Sequence, residues 1–247
     1  MFVLQLINIM NQLWILNNHD LSVLTFNCLQ TGDKRGFIEM ITDAETLKEI
    51  QGSAINAFKK SIINGWLKQH NPSTKNFLKA IDNFSNSCAA YSVATYILGI
   101  GDRHNDNVMV KYSGHMFHID FGKYLGDAQM FAGIVNRDRS PMLFTQDMFY
   151  VINQGTEASG RFQEYIDKCC RAFQILRENY NMFLTIMELV TLIINLIISL
   201  FFSLYKMIDS YIPGLNKAAI QFVYKNLMME SSDDEAREQF TKFEYLK

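Results

Sequence analysis

An apolar stretch bracketed by two polar runs constrains this chain most. Val108-Met109-Val110 and His115-Met116-Phe117-His118-Ile119 read as strands, and Ser113-Gly114 between them reads as a two-residue turn, so the segment closes as a β-hairpin. With Ser113-Gly114 as the loop, Tyr112 faces His115, and counting outward in equal steps sets Asn107 opposite Asp120. Residues directly opposite project from one face, with Cβ atoms about 4.5–5.5 Å apart. An amide oxygen and a carboxylate at that separation can share a Mg²⁺ ion, which takes oxygen ligands at about 2.0–2.1 Å and leaves its other positions for phosphates and water. The hairpin is entered through Asp102-Arg103-His104-Asn105-Asp106-Asn107 and left through Asp120-Phe121-Gly122.

This grouping suits phosphoryl transfer, which needs metal ions to neutralise the phosphate oxygens and a base beside the attacking hydroxyl. Protein kinases carry His-Arg-Asp, an Asn five residues after the Asp, and then Asp-Phe-Gly. Here the triplet is reversed, Asp102-Arg103-His104, while Asn107 keeps its place five positions after the Asp. In that order and spacing the chain resembles the lipid kinase superfamily of phosphoinositide 3-kinases, phosphatidylinositol 4-kinases and related large protein kinases. The resemblance implies His104 as base or proton relay, with Asp102 orienting it or sharing the role. It also implies Asn107 and Asp120 as Mg²⁺ ligands and ATP as phosphoryl donor. Asp-Phe-Gly alone occurs by chance, and a lone Asp such as Asp102 often caps a turn; the ordered pair of motifs is what carries specificity. His115 and His118 read as ordinary strand histidines, and Arg103 as an anchor of the loop.

At 247 residues and 49% hydrophobic content the chain can bury a substantial core, in one large domain or two small ones. A formal net charge of −2 argues against a nucleic-acid partner or a polybasic membrane binder, so an anionic substrate needs a local group of cations. Cys28, Cys88, Cys169 and Cys170 lack metal-ligand spacing and fit reduced cytosolic thiols, and the opening residues do not read as a signal peptide.

Phe2, Leu6, Ile9, Leu13 and Trp14 predict an amphipathic helix ending near Asn17-Asn18. Strands are expected over Leu21 to Leu29 and Phe37 to Ile41, then a short helix capped by Asp43 and running through Ile50. Phe77, Ile81, Phe84, Cys88 and Tyr91 mark a long helix toward Leu98, the stretch after Asp120 to about Phe144 has few signals, and Phe162 to Phe183 returns to helical spacing. The fold class is α+β. It resembles a bilobal protein-kinase-like fold, here mainly the helical C-terminal lobe. Residues 1–41 would be a remnant of the N-terminal lobe and hinge, and 42–247 the C-terminal lobe, with a catalytic loop at 101–109 and an activation segment at 120–143. The resemblance makes Phe37 to Ile41 the hinge, with Glu39 and Ile41 binding adenine through their backbones and Ile38, Met109 and Ile119 lining the purine slot; without it, these apolar positions read as core.

Gly126-Asp127-Ala128-Gln129-Met130-Phe131 and Arg137-Asp138-Arg139-Ser140-Pro141 are similar to class II phosphoinositide 3-kinases. Class I members hold a lysine cluster where this chain has Asp127-Ala128-Gln129, and fewer cations offset less of the desolvation of each added phosphate. The implied substrate is phosphatidylinositol or its 4-phosphate, phosphorylated at the 3-hydroxyl. Asn136, where the class usually has lysine, counts against the 4-phosphate. Lys123, Arg137 and Arg139 are the headgroup candidates, solvated loop charges being the plain alternative. Phosphatidylinositol lipids at a membrane surface and regulatory proteins are the implied partners, at a cytoplasmic, peripherally membrane-associated location. A phosphatidylinositol 4-kinase or a related protein kinase is the rival enzyme.

Two features depart from the family. Its phosphate-covering loop and strand lysine have no counterpart here, so the expectation is a fragment that by itself binds ATP weakly and does not turn over lipid, with an inactive binding remnant as the other account. Leu189 to Tyr205 is uncharged, with Thr191, Asn195, Ser199 and Ser203 at every fourth position. It reads as an insertion at 189–205, either a mostly buried extra helix or a translated intron. Both rank above a membrane span, which needs about 17–25 residues. Near the end, Phe240, Phe243, Tyr245 and Leu246 beside Arg237, Lys242 and Lys247 suit either an interfacial helix or one that packs its aromatics on the lobe.

Overall fold

Ala89, Ala90, Val93 and Ala94 let one long helix run through the centre of the molecule, with residues 87–98 buried on every side. The computed structural model describes residues 2–32, 35–52, 61–126, 130–131, 135–136, 144–155, 160–200 and 216–245. In chain order the elements are α1 (Phe2–Leu16), β1 (Cys28–Gly32), β2 (Arg35–Ile38), β3 (Ala44–Thr46), α2 (Leu47–Gln51), α3 (Ile62–His70) and α4 (Thr74–Leu98). There follow β4 (Val108–Lys111), β5 (Met116–His118), the short β6 (Met130–Phe131) and β7 (Val135–Asn136), α5 (Gln146–Ile152), α6 (Arg161–Glu178), α7 (Tyr180–Leu200), α8 (Lys217–Asn226) and α9 (Asp233–Tyr245). The strands form antiparallel sheets β1-β2, β3-β4-β5 and β6-β7, so the architecture is the expected α+β, a helical lobe with small sheets.

The long helix is α4. Ser73 caps its start by accepting from the Asn76 N–H, and Gly99 ends it in the left-handed conformation at φ 56°. Ser87 joins it to the sheet: its hydroxyl donates to the Asn83 carbonyl at 2.7 Å and accepts the Met116 N–H at 2.8 Å. Helix α6 packs along α4, where the Ser92 and Tyr165 hydroxyls meet at 2.9 Å. Helix α1 docks on α6 through the Trp14 indole N–H, 3.0 Å from the Ala172 carbonyl.

At the far end, Arg177 is 5% exposed and holds the α8–α9 turn. It donates to the carbonyls of Leu227 (2.5 Å), Met228 (2.6 Å) and Ser231 (2.9 Å), and to Asp233 Oδ1 (2.9 Å). Phe240 of α9 is fully buried, stacked on Phe173 at 4.5 Å and edge-on to Tyr96 at 5.3 Å, so the terminal helix packs this aromatic on the lobe.

Several expectations change. The first β-strand begins at Cys28, not Leu21. Asp43 sits at φ 56° and caps nothing; Thr46 caps α2 in a reciprocal capping box with Glu49. The helical spacing from Phe162 to Phe183 is two helices, broken at Asn179. Helix α7 carries residues 189–200, but it is not mostly buried: Leu189, Leu192, Ile193 and Leu196 are 51–63% exposed. Residues 201–205 lie outside the described residues. No helix among the described residues is long and apolar enough to cross a membrane.

The central correction concerns the hairpin register. The pairs are Val108↔His118, Met109↔Phe117 and Val110↔Met116, one residue away from the expected register. Lys111 donates its N–H to the His115 carbonyl at 2.9 Å, so the loop is three residues, Tyr112-Ser113-Gly114. Gly114, at φ 92°, closes it by donating to the Lys111 carbonyl at 2.7 Å. The loop leans so closely on α4 that a Cβ at Gly114 would fall 1.9 Å from the Ala80 carbonyl oxygen. Asn107 therefore faces Ile119, whose N–H donates to the Asn107 carbonyl at 3.0 Å, and not Asp120.

Candidate functional site: the catalytic loop and the end of the hairpin

A backbone twist and one arginine set this centre. Asp102 and Asp120 both adopt left-handed backbone, at φ 58° and 55°. Aspartate tolerates this conformation better than most residues, and its presence at two carboxylates of one loop cluster marks a constrained site. At Asp120 the twist ends the strand, so the carboxylate is not bound to the alternation of β5. Arg103 then joins the two sides. Its guanidinium donates to the carbonyls of Gly101 (2.8 Å), Asn107 (3.3 Å), Ile119 (2.7 Å) and Asp120, and lies 5.7 Å from the centre of the Phe121 ring. The planar fork with five donors suits this task, and the anchoring role expected of Arg103 is what the geometry shows.

His104 stands half-exposed, with Nε2 3.9 Å from Asp102 Oδ1 and Nδ1 3.5 Å from Asp106 Oδ2. The Asp106 N–H reaches Nδ1 at 3.2 Å, and Asn107 Nδ2 lies 3.1 Å from Nε2. A neutral imidazole has one lone-pair nitrogen, so these two donor contacts cannot both persist, and the ring is free to exchange tautomers. Asn107 is 5% exposed and spends its other amide hydrogen on the Asp102 carbonyl at 2.9 Å. With its nitrogen so committed, the amide oxygen is the atom left for a cation. Asp120 is exposed, and its carboxylate offers a second hard oxygen. No group of three or more His, Cys, Asp or Glu able to hold a metal occurs among the described residues. An amide and one carboxylate fit Mg²⁺, which is usually completed by substrate phosphates and water.

The two other nearby histidines do not join this chemistry. His118 is buried against the Tyr91 ring at 4.8 Å, and burial, with Arg103 adding to it, pushes its pKa well below the usual value. His115 is also shifted down by burial and meets the Ser113 hydroxyl at 2.9 Å. His118 is a strand histidine, as expected, whereas His115 stands one residue before β5.

Neighbouring elements fix the roots of the loop. Gly101 donates to the Lys123 carbonyl at 2.9 Å and Leu125 to the Leu98 carbonyl at 2.7 Å, so residues 123–125 run beside the start of the 101–109 loop. Asn226 of α8 donates to the carbonyls of Tyr96 (2.8 Å) and Ile97 (3.3 Å), covering the C-terminus of α4. Phe222, one turn earlier, lies against Gly99 and Gly126, where a Cβ would meet its ring at 2.5 and 3.2 Å. Helix α2 approaches from the other side: the Lys48 N–H donates to the Asn105 carbonyl at 3.1 Å, and Lys48 Nζ pairs with Asp106 at 2.9 Å. Lys48, Asn105, Asp106, Phe222 and Asn226 were missed from sequence. Only Asn105 and Asp106, lying inside the motif, carried any signal there.

The residues expected on the nucleotide side differ in exposure. Asn107, Met109, Phe117 and Ile119 share one face of the hairpin, and Met109, Ile119 and Ile41 are half-buried against the core. Ile38 is 71% exposed on the separate β1-β2 sheet. The Glu39 N–H is committed to the Asn27 carbonyl at 2.9 Å. Lys123 is half-buried; Arg137 and Arg139, and the Asp127-Ala128-Gln129 stretch, lie outside the described residues.

Comparison with known proteins agrees with this geometry. The family model described as phosphatidylinositol 3- and 4-kinase matches residues 1–195. Over 98% of its length the chain is 42% identical to the phosphatidylinositol 4-phosphate 3-kinase C2 domain-containing subunit beta of Homo sapiens, of which it covers 14%. Over 98% it is 40% identical to the phosphatidylinositol 3-kinase C2 domain-containing subunit gamma of Mus musculus, of which it covers 15%. The phosphatidylinositol 3-kinase piki-1 of Caenorhabditis elegans is 40% identical over 97% of the chain, which covers 14% of it. The chain thus spans about a seventh of the length of these curated relatives. With the reversed triplet, its Asn and its Asp-Phe-Gly gathered around one arginine, and with matches over nearly all its residues, this chain belongs to the phosphatidylinositol 3- and 4-kinase family.

Proposed function

We propose that this chain forms the phosphoryl-transfer centre of an ATP-dependent lipid kinase that phosphorylates phosphatidylinositol, or its 4-phosphate, at the 3-hydroxyl. The observation that carries the reading is the Arg103-centred junction, which holds His104, Asn107 and Asp120 in one loop cluster. The names of the relatives support the 3-hydroxyl and the choice of lipids.

His104 accepts the inositol hydroxyl proton at Nε2, where the substrate hydroxyl takes the place of the Asn107 amide hydrogen. To do so its Nδ1 must carry hydrogen, and Asp106 Oδ2 at 3.5 Å is placed to receive that N–H. Asp102, 3.9 Å from Nε2, steadies the imidazolium as it forms. The Asn107 amide oxygen and the Asp120 carboxylate hold Mg²⁺, which when bound neutralises charge on the ATP phosphates. Ile41, Met109 and Ile119 line the purine, with Ile38 at the rim of the slot and the Glu39 carbonyl and Ile41 N–H meeting its edge. Lys123, Arg137 and Arg139 bind the lipid headgroup at a membrane surface, to which the protein is held peripherally from the cytoplasm. Residues 1–41 then serve as hinge and N-lobe remnant, and 42–247 as the C-terminal lobe.

The test is chromatographic separation of radiolabelled lipid products made by the full-length gene product and by its Asp120→Asn form. Wild type should yield 3-phosphorylated lipid, and Asp120→Asn should lose about 10² or more in turnover. Turnover near wild type in Asp120→Asn would remove the metal assignment, and an exclusively 4-phosphorylated product would replace the 3-kinase reading.

A further inference from the structure

Asp147 lies outside the catalytic loop and is only 1% exposed. Both its oxygens accept the Ile63 N–H at 3.3 Å, and it also takes the Ile62 N–H and a bond from the Gln51 side chain. Ser61, the N-cap residue of α3, makes no side-chain capping bond, so a carboxylate from α5 caps α3 in its place. The third bond leads elsewhere. Gln51, at the end of α2, is 3% exposed, and its Oε1 accepts from Asn105 Nδ2 at 2.7 Å. Its own Nε2 is therefore the atom that donates to Asp147.

The polarity of this chain is fixed. Asn105 donates to Gln51, Gln51 donates to Asp147, and the α3 backbone donates to Asp147 from the other side. An ionised carboxylate has acceptors only, so it can end a run in which every donor points inward. Shielded from water, such linked bonds strengthen one another, and loss of one member leaves its neighbours unsatisfied. The two ends matter for function. Asn105 is next to His104, and Asp147 sits in the first turn of α5, the element that follows the activation segment.

We infer that Gln51 and Asp147 are positioning residues for phosphoryl transfer, joining the catalytic loop at Asn105 to the helix that ends the activation segment. The inference rests on the kinase reading above. A carboxylate that merely capped α3 would leave the catalytic loop indifferent to its removal.

The experiment combines amide hydrogen exchange over Gly101–Asn107 with lipid phosphorylation, in the full-length gene product. Asn105→Ala, Asp147→Asn and the double variant are compared, first with Gln51 present and then in a Gln51→Leu background. With Gln51 present, each single variant should raise loop exchange and lower kcat about tenfold, with KM for ATP little changed, and the double should be no worse than the worse single. In the Gln51→Leu background, which keeps the backbone bonds capping α3, adding either substitution should change loop exchange by less than about twofold. Effects that multiply in the double variant would overturn the inference, as would exchange raised in α3 alone with the loop at wild-type rates. A gene product without any lipid or peptide phosphorylation would fell the kinase reading and this inference with it. Normal turnover without coupling would fell the inference alone.

Discussion

Asp147→Asn tests what burial of this carboxylate costs. Desolvation is the largest influence on Asp147, outweighing the bonds from Ile63, Gln51 and Ile62, and raises its pKa from 3.8 to about 6. The rise from 3.8 to about 6, at about 1.36 kcal/mol for each step of one in pH, amounts to about 3 kcal/mol. The folded-state pKa lies above the unfolded one, so the native state holds the proton more tightly. The contribution of Asp147 to stability is thus fully present below about pH 3.8 and is lost as pH rises through about 6. Asparagine cannot titrate. The unfolding free energy of wild type minus that of Asp147→Asn should therefore fall by about 3 kcal/mol between pH 3.5 and 7. Titration of the other carboxylates, including Glu49, Asp233 and Glu235, is common to both proteins and drops out, as does any constant cost of replacing the cap. Urea denaturation followed by fluorescence of Trp14 and Trp66 gives both curves. A difference constant within about 0.5 kcal/mol across that range would show that Asp147 is not desolvated as described.

Arg103→Lys keeps the charge but cannot span four carbonyls with one ammonium, and misplacement of the reacting groups by about 1 Å costs on the order of 10² in rate. The variant should lose about that factor in kcat, read in the lipid assay, while a wild-type rate would mean that Arg103 does not hold the loop. Gly114→Ala puts a Cβ 1.9 Å from the Ala80 carbonyl at a residue with φ 92°. Left-handed strain and overpacking together should cost about 2–5 kcal/mol in denaturation, and a loss under about 0.5 kcal/mol would contradict the three-residue loop.

The proposed chemistry could be read from the sequence because its candidate residues are local. Asp102, His104, Asn107 and Asp120 belong to one loop and one hairpin, so motif spacing was enough to gather them. Periodicity likewise located α1, α4 and α6, since a repeat of buried side chains is written directly along the chain. What spacing could not supply was the register. Whether Ser113-Gly114 or Tyr112-Ser113-Gly114 makes the turn depends on the Ala80 carbonyl against which Gly114 rests, a contact between elements 34 positions apart. That one-residue difference removed Asn107 from opposite Asp120, and what links the two segments is Arg103, whose guanidinium bonds both the Asn107 and the Asp120 carbonyls.

The histidines show the same division. His104 and His118 are the same residue type in neighbouring motifs, yet one is half-exposed beside two carboxylates and the other is sealed against Tyr91 with its pKa pushed down. Composition and order along the chain determined which groups are present and which helices form. Tertiary packing alone decided which of them meet water, which donors find Asp147, and that Phe222 and Asn226 of α8 brace the roots of the catalytic loop. Each of these depends on the placement of backbones distant in sequence, and hydrogen bonds and desolvation are decided over a few ångströms of that placement.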